Sequence, residues 1–242
     1  MGLVAGAQSV LAVRVSRTPL LECDLWAVHK SFTLLLMSTI IFDFDGTIAD
    51  SFDYVLDFLT QQAGLNLLVG KERQALRKMS MITMARDLGH SRWRLPLLFL
   101  KGKRVMGQAI EKIEPFEGMP EVIRKLHAEG HELFIVSSNN LVNVRAFLHK
   151  HQLHEYFLEI YGGVGLFGKA PALRKLLRSQ QLPIQDSLYI GDELRDIEAA
   201  RSIKMRSIGV LWGFATTAGI KAQKPTAIAE TPNDIIKIIE EL

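Results

Sequence analysis

The stretch IIFDFDGTIAD, Ile40–Asp50, decides the fold of this chain. Its apolar run ends in two aspartates, Asp43 and Asp45, and Gly46 follows directly. An unbroken apolar run of this length is typical of a strand that is buried on both faces. Because buried carboxylates are costly, stability alone does not explain two of them at the end of such a strand. We therefore expect Asp43 and Asp45 to take part in chemistry.

Strand-like apolar runs alternate with helical patterns from this stretch to the C-terminus. ELFIVSSNN (Glu132–Asn140) and SLYIGDE (Ser187–Glu193) are typical of strands that end in polar loops, and a helical pattern follows each of them. This alternation predicts an α/β fold with a doubly wound parallel sheet that helices cover on both faces. Thr231 is a predicted N-cap for the last helix.

The composition excludes several classes of protein. Hydrophobic residues make up 48% and charged residues 23% of the 242 residues, as in ordinary globular proteins. The single cysteine, Cys23, excludes an internal disulfide and suits a reducing compartment, so we expect a cytoplasmic protein. No apolar run reaches the roughly 20 residues of a membrane span. A net charge of +3 does not indicate nucleic-acid binding. The oligomeric state stays open.

Two groups of side chains invite a functional interpretation that we do not favour. His149, His151 and His154 cluster on a polar helical stretch, where we expect a solvated face and not a metal site. Trp26, Trp93 and Trp212 are expected to be packing residues.

Polar side chains collect where the predicted strands end, which is the edge of a doubly wound sheet that binds ligands. Mg²⁺ prefers carboxylate and phosphate oxygens, while a lysine and a hydroxyl suit the remaining phosphate oxygens. The pattern therefore predicts that a divalent cation and a phosphate meet there. The residues concerned are Asp43, Asp45, Ser137, Ser138, Lys169, Asp192 and Asp196. Taken singly, Lys169 also suits a surface lysine, and Asp196 suits a helix N-terminus.

Four motifs around these residues carry a family resemblance. DFDGT at Asp43–Thr47, Ser137, Lys169 and GDELRD at Gly191–Asp196 resemble the four ordered motifs of the haloacid dehalogenase superfamily. The resemblance is closest to its phosphoglycolate-phosphatase-like branch. It implies a Rossmann-like core and a Mg²⁺-dependent phosphatase that hydrolyses a small phosphorylated metabolite through an aspartyl phosphate. Phosphoglycolate is the leading substrate that it suggests.

The resemblance also implies a role for each residue. Asp43 is the nucleophile, and Asp45 is the general acid and then the general base. Ser137 and Lys169 hold the phosphoryl group with help from the N–H of Ser138. Asp45 would also bind the metal through its backbone carbonyl. Asp196 would either hold a metal-bound water molecule or orient Lys169. The expected metal residues are Asp43, Asp45, Asp192 and Asp196.

A long insert follows the first strand and implies a second domain. Some 65 residues separate Asp50 from Pro115, far more than an ordinary connection, and in the resembled family a helical cap lies here. Residues 66–112 carry eleven lysines and arginines against three acids, which suits either a lid that attracts anionic substrates or a solvated face. Arg77 and Lys78 are the expected contacts for a second anionic group. The expected domains are an extension at 1–36, disordered or loosely attached, a core at 37–49 and 116–242, and a cap at 50–115.

Two other functions stay open at this point. A phosphomutase shares the architecture, and a non-catalytic binding or regulatory protein could keep the fold. A carbon–halogen hydrolase is disfavoured because that branch lacks the aspartate found here as Asp45. A P-loop kinase is excluded, since no GxxxxGK[ST] match occurs.

Overall fold

The apolar run of the opening stretch forms the central strand of a parallel sheet. The computed structural model describes residues 38–66, 68–76, 81–165 and 168–242. The strands are β1 (Thr39–Phe42), β2 (Glu132–Val136), β3 (Phe157–Tyr161), β4 (Ser187–Gly191), β5 (Arg206–Val210) and β6 (Ala227–Ala229). They lie in the order β3-β2-β1-β4-β5-β6, and all neighbouring pairs are parallel. Thr39 pairs with Glu132 on one side and with Ser187 on the other.

Helices connect these strands. In the described part of the chain they are α1 (Phe52–Gln62), α2 (Gly70–Leu76), α3 (Met81–Asp87), α4 (Leu95–Ala109), α5 (Met119–Ala128), α6 (Leu141–Lys150), α7 (Lys169–Ser179), α8 (Leu194–Ser202), α9 (Thr217–Ala222) and α10 (Pro232–Glu241). Short 3₁₀ turns occupy Arg92–Arg94, Ile110–Lys112, His154–Tyr156 and Ile184–Asp186.

The side chains of β1 alternate between two apolar cores, one on each face of the sheet. Ile40 and Phe42 pack in a cluster with residues of α5, α6 and α10. Ile41 packs on the other face with residues of α7 and α8. The predicted doubly wound sheet, buried on both faces, is thereby confirmed. From β1, the chain adds β2 and β3 on one side of the sheet and then β4, β5 and β6 on the other side. This switch between β1 and β4 opens a crevice at the carboxyl ends of these two strands.

The described residues between β1 and α5 are mainly helical, as the resemblance implies for a cap. Helix α1 packs against α4. Their apolar side chains form a separate cluster that also takes in Phe214 from the loop after β5. The insert leaves and rejoins the core at one place, because the N–H of Asp50 donates to the carbonyl of Glu114 at 2.9 Å. The N–H of Phe116 likewise donates to the carbonyl of Ile48 at 3.0 Å.

The division into domains stays a prediction. Residues Met37–Leu242 form one compact unit that contains both the sheet and the helical insert. The proposed core at 37–49 and 116–242 and the proposed cap at 50–115 therefore remain our division of that unit. The expected extension at 1–36, and the expected substrate contacts Arg77 and Lys78, lie outside the described residues.

Two expectations about side-chain environment are wrong. Trp93 is 84% exposed, because it lies in a short 3₁₀ turn at the surface of the insert and does not pack in a core. His151 is mostly buried: its ring contacts Phe147, and its Nε2 lies 3.1 Å from the carbonyl of Ile113. Its neighbours His149 and His154 are exposed, as expected.

Among the described residues, no helix is both long enough and apolar enough to cross a membrane.

Candidate active site

The loops after β1, β2 and β4 meet the start of α7 at the carboxyl edge of the sheet. Asp43 directly follows β1, and its N–H continues the strand pairing by donating to the carbonyl of Ile190 at 2.8 Å. Its side chain is buried. The strand therefore holds the backbone of Asp43 rigidly, while its carboxylate faces groups from the other loops.

Lys169 joins two of the predicted carboxylates. Its Nζ donates to Asp43 Oδ2 at 2.5 Å and also to Asp196 Oδ1. The side chain is 2% exposed, so Lys169 is not a surface lysine. Burial lowers the pKa of its ammonium group, but Asp196 and Asp43 raise it, and the net direction is upward. Lys169 is therefore a fixed positive charge inside the site.

Asp192 and Asp196 are both fully buried, and hydrogen bonds fix both carboxylates. Asp192 accepts from the hydroxyl of Thr47 at 2.9 Å and from the N–H of Phe214 at 2.7 Å. Asp196 Oδ2 accepts from the N–H of Glu193 at 3.0 Å, in a capping box at the start of α8. Asp196 therefore contacts both the helix N-terminus and Lys169, and its role in the reaction stays a prediction.

Three carboxylates form a group that suits a divalent cation. Asp43, Asp192 and Asp196 each offer an oxygen, and these oxygens lie within 4.8 Å of one another. Burial raises the pKa of Asp43 to about 7, although Lys169 lowers it. Burial, and then the neighbouring carboxylates, raise the pKa of Asp192 well above its ordinary value. A cation would offset this repulsion, and Mg²⁺ binds such oxygen donors, so the residues present fit the expected metal.

Asp45 has a different partner. Asn139, from the loop after β2, donates its side-chain amide to Asp45 Oδ2 at 2.9 Å and to Oδ1 at 3.3 Å. Burial raises the pKa of Asp45, and hydrogen bonds to its carboxylate lower it in part. The side chain of Asp45 is not a member of the three-carboxylate group found among the described residues, and its metal contact through the backbone carbonyl stays a prediction.

The two predicted serines lie in the same loop after β2. Ser137 is fully buried, and its hydroxyl accepts from the N–H of Asn139 at 3.0 Å. Ser138 is also buried, and its hydroxyl lies 3.4 Å from Arg195 Nη2. Both hydroxyls therefore belong to the same edge of the sheet as the carboxylates.

Sequence reasoning missed Arg195 and assigned no role to Asn139. The guanidinium of Arg195 pairs with Glu193, with Nε 2.7 Å from Oε2 and Nη2 3.1 Å from Oε1. Its Nη1 is buried and has no hydrogen-bond partner within the described chain. The available signal was the acid–x–base spacing inside GDELRD, which on its own is common on helices.

Gly46 shows why a glycine follows the two aspartates. Its φ is +81°, in the left-handed region that favours glycine. A Cβ at this position would lie 2.3 Å from Asp192 Oδ2 and 2.5 Å from a ring carbon of Phe214. The close approach of two loops therefore needs a residue without a side chain.

With this geometry established, comparison with known proteins identifies the family. A family model described as haloacid dehalogenase-like hydrolase matches residues 40–210. The chain belongs to the haloacid dehalogenase-like hydrolases. It is 31% identical to a phosphoglycolate phosphatase from Synechococcus elongatus, over 85% of this chain and 99% of that protein. It is 32% identical to a 5'-nucleotidase from Pseudomonas aeruginosa, over 46% of this chain and 52% of that protein.

A solved structure supports the fold of this haloacid dehalogenase-like hydrolase. A predicted phosphatase from Clostridium acetobutylicum matches with a TM-score of 0.70, over 85% of this chain and 100% of that chain. At 20% identity this likeness shows the fold alone. The sequence relatives confirm the phosphoglycolate-phosphatase-like branch and the enzyme class, a phosphoric monoester hydrolase. The residue roles within this haloacid dehalogenase-like hydrolase stay predictions.

Proposed function

We propose that this enzyme hydrolyses a small phosphate monoester by way of a phosphorylated Asp43. The observation that carries the proposal is the buried Lys169, whose ammonium contacts both Asp43 and Asp196. A lysine placed beside a strand-end carboxylate can offset the charge of a phosphoryl group that this carboxylate attacks. The hydroxyl of Ser137 lies at the same edge and suits another phosphoryl oxygen.

The reaction has two steps, and Asp45 transfers a proton in each of them. In the first, an oxygen of Asp43 attacks phosphorus, the bond to the ester oxygen breaks, and Asp45 gives that oxygen a proton. In the second, Asp45 takes a proton from a water molecule that attacks phosphorus. Phosphate leaves and the carboxylate of Asp43 is restored. Lys169 and Ser137 hold the phosphoryl oxygens in both steps.

Mg²⁺ is the proposed cofactor. The side chains of Asp43 and Asp192 and the backbone carbonyl of Asp45 would hold it, and Asp196 would orient Lys169 beside it. When bound, the cation offsets negative charge on the phosphoryl oxygens. A chelator should therefore stop turnover, and Ca²⁺ should support it poorly because its coordination shell is larger and looser.

Phosphoglycolate is the substrate that we propose first, because the relative from Synechococcus elongatus is named for it. The name of the Pseudomonas aeruginosa relative makes nucleoside monophosphates the second class to test. Arg77 and Lys78 stay our proposed contacts for the anionic end of phosphoglycolate, in the stretch outside the described residues. A panel of phosphorylated metabolites with release of inorganic phosphate as the readout separates these substrates. Transfer of phosphate within a sugar phosphate, without release, would indicate a mutase instead.

Replacing the nucleophile tests the mechanism directly. Asp43→Asn should lower kcat by a factor on the order of 10³ or more, because an amide cannot form the acyl phosphate. The melting temperature should stay close to that of the wild type. Borohydride reduces an acyl phosphate to an alcohol, so quenching wild-type turnover with it should leave a homoserine side chain at position 43, which peptide mass spectrometry detects.

An exposed aspartate on the same sheet supplies the matched control. Asp186 lies before the amino end of β4, at the edge of the sheet opposite Asp192. Asp186→Asn should keep full activity and the same reduction product. Retention of a tenth of the activity by Asp43→Asn, or a reduced carboxylate elsewhere, would show that Asp43 is not the nucleophile.

A further inference from the structure

The carboxylate of Asp45 is held by a side chain to which the reaction assigns no role. Asn139 donates to both of its oxygens, at 2.9 and 3.3 Å, across 94 positions of the sequence. Asn139 is 4% exposed, so water does not compete freely for this contact. Asp45 itself is half-buried, and a carboxylate held through both oxygens has little freedom to rotate.

The orientation of the Asn139 amide is itself determined. Its Oδ1 accepts from the N–H of Asn140 at 2.7 Å and from Nδ2 of Asn143 at 2.9 Å. A backbone N–H can only donate, so the oxygen of the amide must lie on that side. The NH₂ group is then left for Asp45. The network therefore specifies which end of Asn139 meets the carboxylate.

Asn143 is packed in turn against the helical insert. It lies in α6, which packs against α4. At Gly107 of α4, a Cβ would lie 2.8 Å from Asn143 Oδ1, closer than real Cβ contacts. Glycine thus lets the backbone of α4 approach the Asn143 amide directly. The contacts run without a break from α4 through Asn143 and Asn139 to Asp45.

We propose that Asn139 is a positioning residue for Asp45, and that Asn143, seated against Gly107 of α4, sets the position of Asn139. The proposal rests on the proposed acid–base role of Asp45. Proton transfer to the leaving oxygen needs that oxygen and the carboxyl group within hydrogen-bond reach, and small misplacements are costly. The Asn139 amide fixes the position of the Asp45 carboxyl group. The helical insert is connected to Asn139 through Asn143.

Leaving groups of different basicity separate this role from a merely structural one. Phosphoglycolate releases an alkoxide-like oxygen that needs a proton, whereas p-nitrophenyl phosphate releases a phenolate that leaves readily without one. The parameter kcat/KM covers only the steps up to departure of the leaving group. Asn139→Ala should therefore lower kcat/KM for phosphoglycolate by about 10- to 100-fold more than for p-nitrophenyl phosphate. A general loss of folded enzyme would lower both equally.

A second variant tests the link to the insert without touching Asp45 or Asn139. Gly107→Ala should shift the same ratio by about three- to tenfold, because the new methyl group displaces Asn143. Alanine is the better helix former, so α4 should not be weakened by its own propensity. Gly102→Ala, in the same helix but against Phe58, is the matched control and should leave the ratio unchanged.

The outcomes separate this inference from the proposed function. Asp45→Asn should lower kcat/KM for phosphoglycolate far more than for p-nitrophenyl phosphate. If it does not, Asp45 is not the general acid. Suppose that Asp45→Asn shows this dependence. If Asn139→Ala then lowers kcat/KM equally for both substrates, or for neither, Asn139 does not position Asp45. If only Gly107→Ala leaves the ratio unchanged, the connection to α4 is wrong. Melting curves of all variants identify any that are not folded.

Discussion

At the scale of single residues, Asp192 has an environment that suits a bound cation. It is fully buried, and its pKa is raised well above the ordinary value by burial and by the carboxylates around it. Without a bound cation, the negative charge of the Asp192 carboxylate opposes folding. With a cation bound, the same carboxylate acts as a ligand. The effect of Mg²⁺ on stability should therefore depend on this residue.

We predict that Mg²⁺ raises the melting temperature of the wild type but not that of Asp192→Asn. A ligand at 100 times its dissociation constant stabilises by about 2.7 kcal/mol, which corresponds to roughly 5–10 °C in a chain of this size. In the presence of a chelator, Asp192→Asn should melt at or above the wild-type temperature, since it removes a buried like charge. Thermal melting with Mg²⁺ and with chelator measures both effects.

Asp186→Asn again serves as the control, because this exposed aspartate belongs to the same strand connection and lies away from the site. It should keep the full Mg²⁺ shift. An equal shift in Asp192→Asn would show that the cation stabilises the protein through other residues.

At the scale of single elements, α10 shows a start signal that can be identified in advance. Thr231 and Asp234 form a capping box: the hydroxyl of Thr231 and its N–H both donate to Asp234 Oδ2, at 2.9 and 2.8 Å. The predicted N-cap at Thr231 is confirmed. These hydrogen bonds, that from the N–H first, lower the pKa of Asp234 below its ordinary value.

We predict that Asp234→Ala lowers the free energy of unfolding by about 1 kcal/mol at neutral pH. Because the pKa of Asp234 is lower in the folded state, its contribution is present above the unfolded-state pKa. It is lost as the pH falls through the folded-state value. The difference between wild type and variant should therefore shrink in acid. Urea unfolding at a series of pH values measures it.

Glu241→Ala, at the other end of the same helix, is the matched control. Removing an acidic residue from a helix C-terminus should leave stability unchanged or slightly higher. A difference between wild type and Asp234→Ala that does not vary between neutral and acid pH would mean that the carboxylate charge does not contribute.

At the scale of the whole molecule, all six described strands and their covering helices lie between Thr39 and Glu241. Residues Met37–Leu242 form one unit, and the family match begins at residue 40. The start of β1 is tied in by Ser38, whose N–H donates to His131 Nδ1 at 3.2 Å. Its carbonyl accepts from the N–H of Glu132 at 3.3 Å. These contacts do not involve residues 1–36.

We predict that a chain beginning at Met37 matches the full chain in kcat/KM and in melting temperature. A change under about 2 °C would correspond to less than 1 kcal/mol. A chain beginning at Ile41 is the control: it loses half of the central strand and should not fold stably. A large loss in the Met37 chain would show that residues 1–36 contribute to the folded protein.

Local pattern was enough to predict the fold class and most of the candidate site. Strand burial and helix starts depend on neighbours within a few residues, and a parallel sheet brings its strand ends to one edge whatever the details. Asp43, Lys169, Asp192 and Asp196 could therefore be placed together from spacing and resemblance.

The tertiary structure alone decided which groups meet there. Lys169 lies 126 residues from Asp43, Thr47 lies 145 from Asp192, and Asn139 lies 94 from Asp45. Such pairs depend on strand order and on how closely two loops approach, and no local spacing encodes either. Packing of whole elements likewise buried His151 and left Trp93 at the surface. Local chemistry thus determined which residue types reach the edge of the sheet, and long-range packing determined the partner of each.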